Sequence, residues 1–227
     1  VDGLNILSLN QYGEKRMFNF NQLFPVVYLI NLPEHAERLE HAKKQLAKIG
    51  ISDYIIFEGI KVNNGQTLQD REAGCKLSHL AIIEQCKENG IDRVCIFEDD
   101  INIKDTFLEK LGMVKDFILN EDWHLFYFGG NLNVNSGHHY DIFNKDIMRV
   151  YRCYTTHAYC VNSSIYNQIL QFKEVNTQYD ILLSFLIQEQ YKKSFCMNPR
   201  QITQRTGFSY IMQKSLDYSI VLEDRKI

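Results

Sequence analysis

Apolar residues recur along this chain in two rhythms. Short unbroken runs at 26–30, 54–57, 94–97 and 123–128 are rich in β-branched and aromatic residues. Their length and character predict strands, a buried one at 26–30 and one buried on both faces at 94–97. Between them the spacing turns helical. Leu39, Ala42, Leu46 and Ile49 form one stripe, closed by Gly50, with Arg38, His41 and Gln45 on the neighbouring face. Residues 72–89 form a second helix, with Ala73, Leu77, Leu80, Ala81 and Ile83 inward and Gly90 as the stop. Phe107, Leu111, Val114 and Ile118 mark a third, with Asp105 as its cap. Residues 63–67 read as a polar loop. Strand and helix thus alternate over residues 25–130, which predicts an α/β fold with a Rossmann-like, mostly parallel sheet flanked by helices.

The second half is less regular. Residues 131–147, with Gly137, His138 and His139, read as a long polar loop. Short strands follow near 148–153 and 158–161, then a helix capped by Ser163 and running to 172, a helix over 179–190, and a last strand over 194–197 before Pro199. Residues 1–24 read as a short arm or hairpin and the C-terminal part as lid-like. No internal repeat, low-complexity tract or Pro-rich linker divides the chain, which favours one continuous domain.

Composition narrows the function classes. With 45% hydrophobic and 23% charged residues the chain can build a full core. A formal net charge of −3 disfavours a nucleic-acid partner, for which a basic excess is expected. No apolar run approaches the length that spans a bilayer, which leaves peripheral membrane association open. The six cysteines include no C-x-x-C pair and sit mostly inside apolar patterns. They read as reduced, buried thiols, and so as a cytoplasmic, reducing compartment. Residues 1–13 show no secretory signal, and a start at Val suggests that sequence precedes it.

The candidate chemistry begins at Arg93-Val-Cys-Ile-Phe-Glu98-Asp99-Asp100, where an apolar strand runs straight into three acids. In open α/β sheets the C-terminal strand edge is where ligands bind. Adjacent carboxylates repel one another unless a cation screens them, and hard oxygen ligands suit Mg²⁺ or Mn²⁺. A solvated acidic turn after a core strand is the plainer alternative. The outer pair, Glu98 and Asp100, has the spacing of a D-x-D motif.

Four landmarks widen this reading: Ile30-Asn31-Leu32 followed by Arg38; Glu72-Ala-Gly-Cys75-Lys76-Leu-Ser78-His79-Leu80; Ile96-Phe97-Glu98-Asp99-Asp100; and Thr156-His157-Ala158-Tyr159 with Asp180 downstream. In order and spacing, over roughly residues 25–210, they resemble glycosyltransferase family 25, the lipopolysaccharide and procollagen galactosyltransferases. The resemblance implies a GT-A-type fold, with a nucleotide-sugar half (25–130) and an acceptor half (131–210) between an N-terminal arm (1–24) and a tail (211–227). It implies metal-dependent transfer of galactose or glucose from a UDP-sugar to a glycan or other hydroxyl-bearing acceptor, with inversion. Glu98 and Asp100 are then expected on Mn²⁺ or Mg²⁺, and Asn31, Leu32, Arg38, Lys76, Ser78, His79 and Asp99 on the donor. Asp180 is the expected general base, with His157 the second candidate.

Every one of these residues also has a structural reading: Asn31 as a cap, Arg38 as a solvated helix residue, His79 as a core histidine, His157 and Tyr159 as cross-strand packing, Asp180 as a helix cap. A nucleotidyltransferase would need a Gly-rich loop after the first strand. Asn31-Leu-Pro-Glu-His35 holds no glycine. A catalytically inactive, glycosyltransferase-like binding or scaffold protein is the remaining alternative.

Overall fold

The computed structural model describes residues 6–9, 15–132 and 138–217, with backbone alone for 6–9 and 15–18. A hairpin of β1 (Ile6–Leu9) and β2 (Lys15–Phe18) leads through the short α1 (Phe20–Leu23) into β3 (Val26–Asn31). Then come α2 (Ala36–Lys48), β4 (Ile55–Glu58), α3 (Leu68–Glu88), β5 (Arg93–Glu98), β6 (Ile101–Ile103), α4 (Phe107–Asn120) and β7 (Leu125–Tyr127). The second half holds β8 (Tyr140–Asn144), β9 (Ile147–Val150), β10 (Ala158–Asn162), α5 (Tyr166–Leu170) and α6 (Tyr179–Leu182). A π-helical stretch (Leu183–Gln188) joins α6 to α7 (Glu189–Tyr191). The chain closes on β11 (Ser194–Met197), β12 (Ile202–Gln204) and a hairpin of β13 (Gly207–Ser209) and β14 (Lys214–Leu216).

Eight strands form one sheet in the order β4-β3-β5-β10-β7-β11-β9-β8. Pairing is parallel at β4–β3, β3–β5 and β7–β11, and β10 and β9 run against their neighbours. The expected α/β architecture, a large sheet mostly of one direction between helices, is therefore present. Its two cores follow the period of the strand. Along β5, Cys95 and Phe97 join the cluster under α1, α2 and α4, while Val94 and Ile96 join the cluster under α3 and α5. Phe126 and Tyr127 divide in the same way on β7. Phe20, Leu23 and Phe24 are fully buried, so the chain's first helix belongs to the core.

Several boundaries differ from expectation. Helix α3 starts four residues early, because Thr67 and Asp70 close a capping box there. Asp105 does not cap α4; it is exposed and ion-paired with Lys48, and the helix begins after Thr106. Asn162, not Ser163, caps the next turn, its Oδ1 accepting from Ser164 N at 3.0 Å. The expected loop 131–147 contains β8, which hydrogen-bonds to β9. As a sheet edge β8 exposes Ile142 and Phe143, so burial imposes no alternation on its sequence. Gly137 and the tail past Asp217 lie outside the described residues.

Candidate active site

Three strand ends meet at one edge of the sheet. β3 ends at Asn31 and β5 at Glu98, paired so that Ile30 lies beside Glu98. Antiparallel β10 begins at that same edge: Ala158 pairs with Phe97, and Glu98 N donates to His157 O at 2.9 Å. The reversal of β10 is what brings Thr155–His157 alongside the carboxylates. A pocket of about 270 Å³ opens here, lined by residues from β3, α3, the acidic run, residues 155–156, the start of α6 and the C-terminal hairpin.

Helix α3 forms one wall. A Cβ at Gly74 would lie 2.4 Å from Ile60 O, so only glycine lets the helix approach that segment so closely. Ser78 Oγ, one turn on, donates to Gly74 O and accepts from Ile60 N, both at 2.8 Å. The mid-helix serine thus has a tertiary partner. Polar residues of α2 hold the acidic segment from the other side. His41 Nε2 lies 3.0 Å from Ile101 O, and Gln45 Oε1 accepts from Ile103 N at 2.8 Å.

The three acids have different surroundings. Asp99 accepts from Asn31 Nδ2 at 2.6 Å and is ion-paired with Arg38. Burial raises its pKa, against the pull of Arg38 and Asn31. Glu98 Oε1 accepts from Thr156 Oγ1 at 2.8 Å and lies 3.3 Å from His79 Nε2. Burial works to raise the Glu98 carboxyl, but His79 and Thr156 outweigh it and hold it below the ordinary value. Asp100 Oδ2 lies 3.2 Å from Arg38 and accepts from Gln204 Nε2 at 3.3 Å, while Oδ1 is buried without a partner. Burial and the Glu98 charge push Asp100 up to about 7.

Asp180 lines the same pocket. Its Oδ2 accepts from Thr155 N at 3.1 Å and its Oδ1 from Ile181 N at 2.8 Å. It is not the cap of its helix, a place taken by Gln178. Burial raises its pKa. Thr155 adopts φ +77°, an outlier for a β-branched residue and a place where a fold stores strain.

A sequence model of glycosyltransferase family 25 (LPS biosynthesis protein) matches residues 61–216. The chain belongs to glycosyltransferase family 25. Among curated relatives, the probable inactive glycosyltransferase 25 family member 3 of Rattus norvegicus is 38% identical over 68 residues, covering 29% of this chain and 12% of its own length. The inactive member 3 of Homo sapiens is 28% identical over 129 residues, 47% of this chain and 22% of its own. The chain thus matches less than a quarter of the length of either relative. In fold it is similar to a glycosyltransferase involved in the glycosylation of the major capsid of PBCV-1, with a TM-score of 0.50 and 12% identity, over 83% of this chain and 97% of that one.

Of the site residues expected from the family 25 landmarks, Asn31, Leu32, Arg38, Ser78, His79, Glu98, Asp99, Asp100 and Asp180 line the pocket. Lys76 and His157 do not. Lys76 points off the other side of α3, is buried, and donates to Val175 O. His157 is fully buried behind Thr155, with Nε2 3.2 Å from Ile202 O and Nδ1 3.0 Å from Thr155 Oγ1, and burial lowers its pKa. Alternation along the extended chain explains the second case: with Thr156 turned to Glu98, its neighbour faces the core.

The pocket also takes in residues not singled out from sequence. Thr156 opens a landmark and Thr155 adjoins it, so both were legible by position. Cys75 sits within one. Tyr210, whose ring meets His35 at 5.5 Å, and Ile211, whose carbonyl accepts from Arg71 at 2.8 Å, come from the hairpin and carry no motif.

Proposed function

We propose that this chain transfers a hexose, galactose or glucose, from a UDP-sugar to an acceptor hydroxyl, with inversion. The observation that carries this reading is the unbalanced Glu98–Asp100 pair. Asp100 Oδ1 is buried without a partner, and burial, followed by the Glu98 charge, lifts the Asp100 pKa to about 7. That electrostatic deficit fits a divalent cation, and an all-oxygen pair fits Mn²⁺ or Mg²⁺. Glu98 and Asp100 would hold the ion. When bound, it would offset charge developing on the departing diphosphate.

The protein's own groups do the rest. Arg38, already shared between Asp99 and Asp100, adds positive charge beside the diphosphate. Asn31 holds Asp99 through a buried hydrogen bond, which fixes the end of β5 for a sugar or ribose hydroxyl. Asp180 takes the acceptor's proton: its raised pKa makes it a stronger base than an ordinary carboxylate. Thr155 N–H holds one of its oxygens in place. The acceptor is a glycan or another hydroxyl-bearing group.

Calorimetric titration with UDP, in Mn²⁺ and then in EDTA, tests the metal dependence. Binding is expected to tighten at least about tenfold with Mn²⁺, roughly 1.4 kcal/mol; equal binding in EDTA would rule out the cation. A second reading follows from the names of the relatives, which are inactive members of the family. It is a module that binds the nucleotide sugar without transferring it. UDP release from UDP-galactose or UDP-glucose, absent in wild type but with binding intact, would favour that module.

A further inference from the structure

Cys75 and His79 stand one turn apart on α3 and face the same way, towards Glu98. One ligand atom from each of the three, Sγ, a ring nitrogen and a carboxylate oxygen, lies within 4.8 Å of the other two. His79 Nδ1 lies 3.0 Å from the Tyr159 hydroxyl, which hydrogen-bonds with Tyr179 Oη at 3.1 Å. His79 Nε2 is fully buried and has no hydrogen-bond partner, although Glu98 Oε1 lies 3.3 Å away. A buried polar atom left without a partner calls for one, and an ion held between the two atoms supplies it. Two ligands about 2.0–2.2 Å from a tetrahedral ion are themselves about 3.3–3.5 Å apart. Tyr179 stacks on the ring at 4.8 Å and 13°, and a hydrogen bond such as that between Nδ1 and the Tyr159 hydroxyl is of the kind that orients metal-bound histidines.

We propose that Cys75, His79 and Glu98 form a binding site for a borderline-soft divalent cation, zinc above all, which shares Glu98 with the hard-cation pair Glu98–Asp100. Sulfur, nitrogen and oxygen ligands together select zinc over manganese or magnesium. Binding displaces the Cys75 thiol proton to solvent, and the fourth ligand position faces the pocket. A consequence rests on the sugar-transfer reading: zinc here withdraws Glu98 from the hard cation, so it inhibits Mn²⁺-supported transfer.

Cobalt(II) reports on such a site directly. Titrated into the metal-free full chain, Co²⁺ should produce a thiolate-to-metal charge-transfer band that saturates at one equivalent and is bleached by Zn²⁺. Cys75→Ser should lose the band, His79→Gln should weaken Co²⁺ binding at least tenfold, and Asp100→Asn should keep it. No band in wild type, or the same band in Cys75→Ser, overturns the site. A measurement on wild type alone guards against misfolded variants. Cys75 is the one cysteine that is not fully buried. Zn²⁺ should slow its alkylation by iodoacetamide at least tenfold, read by mass spectrometry; an unchanged rate overturns the site too. If the band forms but Zn²⁺ leaves UDP-hexose turnover untouched, the shared use of Glu98 fails and the site stands.

Discussion

Asp100 is where the residue scale speaks most directly about conditions. Its ordinary carboxyl value is 3.8 and its folded value about 7. Between those limits the folded chain keeps a proton that the unfolded chain releases, so its contribution to stability is full below about pH 4 and falls as pH rises to about 7. A bound cation removes the cause. Thermal melts of the metal-free protein should therefore show an Asp100-dependent loss from about pH 4 to about pH 7, recovered by Mn²⁺ more at the higher pH. Asp100→Asn should flatten that loss and abolish the Mn²⁺ response while the fold stays intact. An identical slope in the variant would assign the titration to another group. Asp180 gives a cleaner kinetic expectation. A general base contributes about 10²–10⁴-fold, so Asp180→Asn should lower the rate of transfer by that order with UDP affinity unchanged. A parallel loss of UDP affinity would make it a donor-binding residue instead.

At the scale of elements, what was legible depended on burial. β5 could be read because both its faces are buried and its apolar run is unbroken. β8 could not, because its side chains lie mostly in solvent. The start of α3 was written in Thr67 and Asp70, three residues apart, although the polar tract before them masks it. The close approach of α3 to Ile60 had only Gly74 and Ser78 as its trace, and neither names its partner. The contact sets the width of the pocket, so it is open to test. A methyl group at 74 must displace a backbone carbonyl from 2.4 Å, a shift that typically costs about 1–3 kcal/mol. Gly74→Ala should lower stability by that amount in denaturant melts and weaken UDP binding, whereas Gly90→Ala, with nothing within 4 Å of the added atom, should leave UDP binding unchanged. Equal UDP affinity in Gly74→Ala would show that the helix can retreat without reshaping the site.

The whole molecule depends on an insertion that local patterns do not encode. β10 enters between β5 and β7 from far along the chain and in the opposite direction. That placement sets Thr156 beside Glu98 and the Thr155 amide against Asp180. Hydrophobic runs can be recognised one at a time, but strand order is decided by packing over the whole sheet. The C-terminal segment shows the same dependence. Gly129, where a Cβ would lie 1.7 Å from Ile202 O, lets residues 201–202 cross the end of β7, and Phe128 O accepts from Gln201 N at 2.8 Å. From there β12 pairs with β6 and delivers Gln204 to Asp100. The β13–β14 hairpin continues over the pocket, with Phe208 O 3.4 Å from Arg38 and Ile211 O on Arg71. The hairpin adds no residue to either core cluster, so its contribution should be to the site and not to the fold. A chain ending at Thr206 should melt within a few degrees of the full chain yet bind UDP at least about tenfold more weakly, a loss of roughly 1.4 kcal/mol. Unaltered UDP affinity would show that the donor is held entirely by the sheet edge and α3. A collapse of the melt would show instead that the hairpin's contacts with Arg38 and Arg71 support the fold itself.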